Sequence, residues 1–305
     1  MLLDGRVGVI TGAGRGIGRE LALALAREGA ALVVNDAGVA VDGGPSTERP
    51  AHEVAGEIAR AGGRAVADTG SVTSWDDAHG MVERAATEFG RIDFVVNNAG
   101  ILRDVIFHKM SEEDWDAVIA VHLKGAFNVT RAAAGWFRRQ GSGVVLNMTS
   151  TSGLIGNVGQ ANYAAAKLGL VGLTRSVALD MKRFGVRANA IAPFAWTRIT
   201  GTLEAGGATD AGHARVESLR RMRADQIVPL ALYLVSDASR GVNGQVFAVR
   251  GSELILFSLP RPVLKSRQPG GWTPQSVADA IEREFRDRFV PLEVTADVFP
   301  YDPPE

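Results

Sequence analysis

The sequence of 305 residues contains no cysteine. This absence excludes a disulfide framework, a thiolate metal site and a cysteine nucleophile, and it fits a reducing compartment such as the cytoplasm. An excess of one charge is also lacking, since 33 basic and 34 acidic residues give a formal net charge of −1. We therefore expect neither nucleic acid nor a membrane surface as a partner.

Long apolar runs are missing as well, because no apolar stretch extends without a charge over the ~18 residues that a membrane-spanning helix needs. The first residues, MLLDGRVGVIT, pass almost directly into a strand-like segment, so we expect no signal peptide. The five histidines have no spacing typical of metal ligands, and we expect no metal. These features predict a cytoplasmic globular protein of ordinary composition.

Short apolar segments alternate with helical patterns along residues 1–251. Several segments are rich in valine and isoleucine without polar alternation, which is typical of parallel strands buried on both faces. The repeated strand–helix–strand order predicts an α/β fold, a single doubly wound domain with a seven-stranded parallel sheet. The predicted strands are 7–11, 31–35, 64–67, 92–97, 143–148, 187–191 and 245–249, and the predicted helices are 16–28, 50–61, 75–89, 112–137, 160–183 and 225–236.

Residues 252–305 form a C-terminal extension that is richer in proline, as in SLPRP, RQPGGWTP and VFPYDPPE. Thr273 followed by Pro274 predicts a helix over 275–289, because threonine caps helices and proline favours their first turn. The extension is short for a second domain. We expect it to pack on the domain 1–251 or on a partner subunit.

The first predicted strand runs into TGAGRGIG, residues 11–18. Glycines here let the backbone turn tightly and approach a pyrophosphate at the start of the next helix, as in a Rossmann domain. Asp36 ends the second strand, where a carboxylate can accept hydrogen bonds from ribose hydroxyls and repel a 2′-phosphate. We therefore predict NAD, with NADP less favoured, although Arg15 could contact a 2′-phosphate. The alternative role for Asp36 is an Asx turn that caps the loop.

Tyr163 and Lys167 lie four residues apart in YAAAK, so they share one face of a predicted helix. A phenol has a pKa near ~10 and is a poor base at neutral pH, but a neighbouring ammonium favours the phenolate. Ser150 ends the fifth strand, where its hydroxyl can meet the same substrate oxygen. Combined with the glycine turn and NNAG (97–100), these side chains predict an acid–base site beside a nucleotide.

Together these motifs resemble the short-chain dehydrogenase/reductase family over residues 4–251. The resemblance implies that Tyr163 is the catalytic acid/base, that Lys167 lowers its pKa and binds ribose, and that Ser150 orients the substrate oxygen. It argues against a non-enzymatic NAD-binding protein. The implied cofactor-binding residues are Gly12, Arg15, Gly16, Ile17, Gly18, Asp36, Ser71, Val72, Asn98, Ala99, Gly100, Tyr163, Lys167, Pro193 and Thr197.

Longer segments, such as VHLKGAFNVTRAA (121–133) and GNVGQANYAAAKLGL (156–170), resemble the (3R)-hydroxyacyl-CoA dehydrogenase branch of the peroxisomal multifunctional enzymes. This implies oxidation of a (3R)-hydroxyacyl-CoA with NAD. We expect the enzyme to be freestanding rather than part of a multifunctional chain. The open alternatives are a hydroxysteroid, a steroid side-chain CoA, and reduction of a 3-oxoacyl group. The resemblance also implies a homodimer or homotetramer formed through helices 112–137 and 160–183.

His122 departs from the commoner family pattern, in which an asparagine anchors a proton-relay water near the lysine. The multifunctional branch also has histidine there. Two hypotheses stay open: His122 belongs to the catalytic set and holds the relay water, or it is a helix residue bonded to backbone. Gly70 stands where the family has an acid before Ser71 and Val72, so backbone groups there would hold the adenine.

The substrate region is harder to predict. Residues 194–225 are expected to form a substrate lid, because GTLEAGGATDAG is polar and rich in glycine. A CoA substrate needs cations for its phosphates, although a solvated surface is the ordinary role of such side chains. The candidates are Arg103, Lys109, Arg215, Arg220, Arg221 and Arg223.

Overall fold

The computed structural model describes residues 1–45, 47–196 and 220–299. These residues form an eight-stranded sheet in the order β3-β2-β1-β4-β5-β6-β7-β8. The first seven strands are parallel, which confirms the predicted α/β fold, and β8 is antiparallel to β7. The strands are β1 (Val7–Thr11), β2 (Ala31–Asn35), β3 (Arg64–Asp68), β4 (Phe94–Asn97), β5 (Gly143–Met148), β6 (Val186–Phe194), β7 (Val246–Arg250) and β8 (Glu253–Leu256).

Helices cover both faces of the sheet. Leu21 and Ile58 belong to the apolar core on one face, and Met81 and Phe137 to the core on the other. Within the described ranges, no helix has both the length and the apolarity needed to cross a bilayer. The helices are α1 (Gly16–Arg27), α2 (Pro50–Arg60), α3 (Trp75–Phe89), α4 (Glu112–Ile119), α5 (Gly125–Gln140), α6 (Thr151–Leu154), α7 (Ala161–Met181), α8 (Val228–Val235), α9 (Pro274–Ala280) and α10 (Thr295–Val298).

The order of the strands determines where a ligand can bind. β1 lies between β2 and β4, so the direction of winding reverses at this strand. In open α/β sheets, ligands bind at the carboxyl ends of the strands beside such a reversal. The glycine turn follows β1, Asp36 follows β2, and NNAG begins at the end of β4. The fold therefore brings the predicted nucleotide motifs to one edge of the sheet.

Several elements differ from the sequence prediction. The helix predicted over 275–289 is α9 followed by a π-helical turn, Ile281–Phe285. The single helix predicted at 112–137 is divided into α4 and α5 by a π-helical turn, Ala120–Lys124. Strand β8 was not predicted. Its side chains are alternately exposed and half-buried, so it has no buried apolar face, and it forms by pairing with β7. A glycine with a φ of 57°, Gly251, makes the reversal between these two strands.

The C-terminal extension contacts the sheet domain of its own chain. The predicted cap is present, since Thr273 Oγ1 accepts a hydrogen bond from the Ser276 N–H at 3.1 Å. Further along, the Thr295 N–H donates to the Gly156 carbonyl at 2.9 Å. The ring of Phe299 lies 5.1 Å from that of Phe194. The division into a domain 1–251 and an extension 252–305 stays a prediction.

Candidate active site

The turn after β1 depends on its glycines. Gly12 and Gly16 have φ angles of 61° and 50°, which side chains disfavour. A Cβ on Gly12 would lie 2.8 Å from the Ala99 Cα, and one on Gly18 would lie 2.2 Å from the Gly12 carbonyl oxygen. Arg15 gives α1 no side-chain cap. The turn thus offers free N–H groups at close range, as a pyrophosphate requires.

The NNAG segment is hydrogen-bonded to the glycine turn and to the end of β1. Asn98 Nδ2 donates to the carbonyl oxygens of Thr11 and Gly12 at 3.1 and 3.0 Å. In return, Thr11 Oγ1 accepts from the N–H groups of Asn98 and Ala99 at 3.0 and 3.1 Å. These hydrogen bonds join the carboxyl ends of β1 and β4, so NNAG and the glycine turn form one continuous surface.

Asp36 is buried and takes part in two backbone contacts. Its Oδ1 accepts from the Gly38 N–H at 2.8 Å, which is the Asx turn considered from the sequence. Its Oδ2 accepts a hydrogen bond from the Gly14 N–H at 3.0 Å, which connects Asp36 to the glycine turn. The nearby Arg15 guanidinium forms an ion pair with Glu48. The acid therefore faces the nucleotide crevice while the charge of Arg15 is compensated.

A cavity of about 480 Å³ runs from the glycine turn to Tyr163 and Lys167. The uncapped helix, the side-chain-free turn and the buried acid are features that suit a dinucleotide. Gly18 packs behind the turn, and Thr197 lies outside the described residues. The predicted cofactor residues in the cavity wall are Gly12, Arg15, Gly16, Ile17, Asp36, Ser71, Val72, Asn98, Ala99, Gly100, Tyr163, Lys167 and Pro193.

The wall also contains residues that the sequence did not single out. Asn35 is one of them, and its Nδ2 donates to Asp68 Oδ1 and to the Gly70 carbonyl, both at 2.9 Å. Asp68 Oδ1 also accepts from the Gly70 N–H. The Ser71 segment is therefore held by Asn35 and Asp68. No motif indicated these contacts, because Asn35 reaches Asp68 and Gly70 only when β2 pairs with β3.

β5 and α7 bring Ser150, Tyr163 and Lys167 together. The Lys167 Nζ lies 5.4 Å from the centre of the Tyr163 ring and donates to the Met148 carbonyl at 2.6 Å. The Ser150 hydroxyl lies close enough to the Tyr163 phenol to lower its pKa. An ammonium has three N–H donors, so Lys167 can also bind acceptors such as ribose hydroxyls. The three side chains form one acid–base cluster.

The electrostatics of this cluster differ from the sequence expectation. Burial raises the pKa of Tyr163 to about 12, the Ser150 hydroxyl lowers it, and Asp104 raises it further. Burial lowers the pKa of Lys167 to about 7. Lys167 was expected to lower the pKa of Tyr163, but in the protein alone the cost of removing charge from water is larger than this attraction. Only a protonated Lys167 can stabilise the phenolate.

The π-helical turn places His122 in the interior, where it is 3% exposed. Its Nε2 lies 2.8 Å from the oxygen and 3.1 Å from the nitrogen of Ile101. The ring meets that of Tyr163 edge-on at 5.1 Å. Burial, and secondly the charge of Lys167, hold the pKa of His122 well below its usual value. His122 is therefore a neutral ring beside the acid–base cluster.

A second cavity, of about 10 Å³, lies beside His122, Lys167 and Asn97. That volume is comparable to one water molecule. The His122 Nδ1 and the Asn97 Oδ1 are buried and have no hydrogen-bond partner among the described residues. Buried polar atoms are normally satisfied, so this cavity has the properties of a site for one ordered water.

Among the described cations considered for CoA, only Arg103 contributes to the cavity wall. Its guanidinium donates to Glu113 and to the Asp42 carbonyl. Arg223 forms an ion pair with Asp225 at 2.9 Å. Arg215 and most of the predicted lid lie outside the described residues. The remaining candidates are Lys109, at the end of an exposed turn, Arg220, which lies over the Trp196 ring, and Arg221.

Comparison with known proteins identifies the family. The family model of the short chain dehydrogenases matches residues 6–205. The chain belongs to the short-chain dehydrogenase family. This confirms the resemblance found from the motifs and shows that the chain is an oxidoreductase.

This short-chain dehydrogenase is similar to several named proteins. Hydroxyacyl-CoA dehydrogenase ChsB1 of Mycobacterium tuberculosis is 40% identical over 295 residues, 94% of this chain and 90% of that protein. Peroxisomal multifunctional enzyme type 2 of Mus musculus is 40% identical over 284 residues, and the chain spans 36% of its length. A crystal structure of a short chain dehydrogenase from Mycobacterium avium matches with a TM-score of 0.81 at 40% identity, covering 95% of this chain and 98% of the other.

These matches also bear on the C-terminal extension of the dehydrogenase. An alignment over 94% of the chain must include most of residues 252–305. The motifs alone showed no resemblance there. The extension is therefore shared with relatives of this family.

Proposed function

We propose that this dehydrogenase oxidises a secondary alcohol with NAD, and that the alcohol is a (3R)-hydroxyacyl-CoA. The observation that carries the proposal is the presence of Tyr163, Lys167 and Asp36 in the wall of one cavity. The substrate class is supported by the relative named hydroxyacyl-CoA dehydrogenase, which matches nearly the whole chain.

Each residue of the site has a separate role in this reaction. The Tyr163 phenolate accepts the proton of the substrate hydroxyl, and Ser150 hydrogen-bonds the substrate oxygen. Protonated Lys167 stabilises the phenolate. NAD, held by the glycine turn, Asp36 and Lys167, supplies the hydride acceptor when bound. In the reverse direction, Tyr163 returns the proton to the ketone oxygen.

A substrate panel tests the proposal directly. The panel contains (3R)- and (3S)-hydroxyacyl-CoAs and hydroxysteroids, each with NAD and with NADP, and is followed by nicotinamide absorbance. We expect turnover of the (3R)-hydroxyacyl-CoAs with NAD. Activity with steroids alone would favour the steroid alternative, and 3-oxoacyl reduction with NADPH alone would favour a reductase.

Asp36→Asn should weaken the preference for NAD over NADP. The substitution removes the negative charge that repels a 2′-phosphate and one of the two acceptor oxygens. Because hydrogen bonds to charged groups contribute about 1.5–3 kcal/mol, the ratio of kcat/KM for NAD over NADP should fall at least ~10-fold. Asp287→Asn, at an exposed acid of the extension, is the control. An unchanged ratio would leave Asp36 with only its contacts to the backbone of Gly14 and Gly38.

His122→Ala tests whether His122 holds a water beside Lys167. If it does, kcat should fall about tenfold, the loss of roughly one good hydrogen bond, and the pH profile of kcat should shift. His122→Asn, which restores a polar side chain, should recover much of the activity. His108→Ala serves as the control at an exposed histidine. Unchanged kcat and pH profile would leave His122 as a helix residue bonded to the Ile101 backbone.

We also propose that the enzyme is a homodimer or homotetramer in the cytoplasm. Large apolar side chains are exposed along the helices that the resemblance assigns to the interface: Phe127 of α5, and Leu168 and Leu179 of α7. Exposed apolar side chains on neighbouring helices support a protein contact. Light scattering of the purified chain gives the mass of the assembly.

A further inference from the structure

A large cavity lies at the amino ends of the parallel strands, at the edge of the sheet opposite the candidate active site. This amino-edge cavity has a volume of about 970 Å³, which is the size of a small-molecule site. Arg187 near the start of β6 belongs to its wall, whereas Pro193 of the same strand belongs to the wall of the candidate active site. Because a strand rises about 3.3 Å per residue, the two sites are roughly 20 Å apart. The proposed reaction does not use the amino-edge cavity.

The wall of the amino-edge cavity is strongly positive, although the net charge of the whole chain is −1. Six cations and two acids, Asp93 and Asp237, lie in this wall. The cations are Arg6, Arg175, Lys182, Arg187, Arg240 and Arg261. They come from distant parts of the chain, so no sequence motif indicated them. The wall therefore has a formal excess of four positive charges.

Both acids of the wall are already paired. Asp93 forms ion pairs with Arg6 at 3.1 Å and with Arg91, which lies outside the wall, at 2.6 Å. Asp237 forms ion pairs with Arg6 at 2.7 Å and with Arg240 at 3.0 Å. Four cations of the wall have no acidic partner among the residues that the structure describes. They are Arg175, Lys182, Arg187 and Arg261.

Arg187 is the buried member of this group, with 9% of its surface exposed. Its Nη1 donates to the Leu234 carbonyl at 3.1 Å and to the Ser239 hydroxyl at 2.8 Å, and its Nη2 donates to the Ser236 carbonyl at 3.0 Å. A guanidinium has five N–H donors. The Nε–H and one Nη2–H of Arg187 have no acceptor within the described ranges. Two donors of a buried cation are therefore available to a ligand.

Like charges converge on Arg187. Burial lowers the pKa of its guanidinium, Asp237 and Tyr233 raise it, and the charges of Arg240 and Arg6 lower it. A buried charge is costly unless it is paired. An anion in the cavity would supply the missing partner and would reduce the repulsion among the cations.

The ends of helices do not account for this many cations. α5, α7 and α8 end beside the cavity, and each helix C-terminus contributes about −0.5 elementary charge. The three ends together supply roughly −1.5 charges, which is less than half of the excess in the wall. A net positive charge therefore remains for a ligand.

We propose that the amino-edge cavity binds a polyphosphate anion, free or as part of a nucleotide. A phosphate monoester carries about −1.5 to −2 charges near pH 7, so an excess of four matches a short chain of phosphates better than a single phosphate. The planar fork of Arg187 suits phosphate oxygens. Arg261 comes from the C-terminal extension, where Leu259 packs on the sheet domain. The proposal is independent of the substrate of the dehydrogenase.

Calorimetry of the purified full chain tests the proposal, with tripolyphosphate and ATP as probes and with NAD present to occupy the candidate active site. The native assembly is used, because Leu179 of the proposed subunit contact also lies in the wall. We expect tripolyphosphate to bind with a Kd of roughly 100 μM or lower, from several charge-assisted hydrogen bonds. A similar Kd for ATP would assign the recognition to the phosphates alone, whereas a Kd at least ~10-fold lower would assign a nucleotide. Absence of binding by both probes at millimolar concentration would refute the proposal.

Arg175→Gln combined with Lys182→Gln locates the site. This pair removes two cations of the wall and leaves Arg187 in place, so the Kd of tripolyphosphate should rise at least ~10-fold. The control pair, Arg131→Gln with Arg183→Gln, removes the same charge from exposed positions outside the wall, and Arg183 is the neighbour of Lys182. The control should bind like the wild type. Equal losses in both pairs would show a response to overall charge and would overturn the proposal.

Arg187→Met tests the buried guanidinium. In the folded variant the Kd of tripolyphosphate should rise at least ~10-fold, because charged donors are lost. Thermal unfolding monitors the fold, since Arg187 also holds the end of α8. Tripolyphosphate should raise the Tm of the wild type and of the control pair, but not that of the pair at Arg175 and Lys182. If Arg187→Met does not fold, this comparison of Tm values decides. Unchanged binding by folded Arg187→Met contradicts the proposal.

Discussion

Tyr163→Phe should lower kcat at least ~100-fold, the effect of removing a general acid or base. The affinity for NAD should fall by no more than about fivefold, because one hydrogen bond of about 1 kcal/mol or less would be lost. The phenyl ring keeps the packing of the site, since the ring of His122 and the ammonium of Lys167 both contact the ring of Tyr163. The loss should therefore fall on the chemical step.

Steady-state kinetics with the substrate found in the panel measure kcat, and calorimetry measures the affinity for NAD. Tyr233→Phe is the control, because Tyr233 is 41% exposed on α8 and lies outside the cavity wall. A Tyr163→Phe enzyme with kcat close to that of the wild type would remove Tyr163 from the proton transfer.

Lys167→Met should make the protein more stable and nearly inactive. Methionine keeps the length of the side chain but cannot stabilise the phenolate or bind ribose, so kcat/KM should fall at least ~100-fold. At pH 6 the free energy of unfolding should rise by several kcal/mol, because a buried ammonium is no longer required. Such an exchange of stability for activity is expected at a functional site.

The pH dependence of this gain follows from the shifted pKa. Lys167 has a pKa of about 7 in the folded chain and 10.5 as the ordinary value. Between these values the unfolded chain binds more protons, so the stability of the wild type rises with pH. The advantage of Lys167→Met is therefore complete below pH 7 and disappears as the pH approaches 10.5.

Urea unfolding at pH 6 and pH 10 measures both effects, with kcat/KM determined on the same samples. Lys265→Met, at an exposed lysine, should change neither stability nor activity. Lower stability of Lys167→Met at pH 6 would show that the Met148 contact outweighs the cost of burying the charge.

The sequence by itself determined the parallel part of the sheet and the positions of the candidate site residues along the chain. The strands around β1 are continuous apolar runs, and this pattern exists only where both faces are buried. The glycine turn, NNAG, and the spacing of Tyr163 to Lys167 are local features, in which neighbouring residues carry the chemistry. Such features can be read without knowing which distant segments meet. The parallel fold, the family and the enzyme class were therefore predicted correctly.

Only the tertiary structure decided how these groups behave. The π-helical turn that directs His122 inward leaves the apolar pattern of the helix almost unchanged. The pKa values of Tyr163 and Lys167 are dominated by burial, which depends on packing from every side. Asp104 and Gln160 are 56 residues apart in the sequence and meet only because α7 packs beside the loop after β4. Burial and long-range contacts are properties of the folded chain, and they set the charge of the groups on which the proposed mechanism depends.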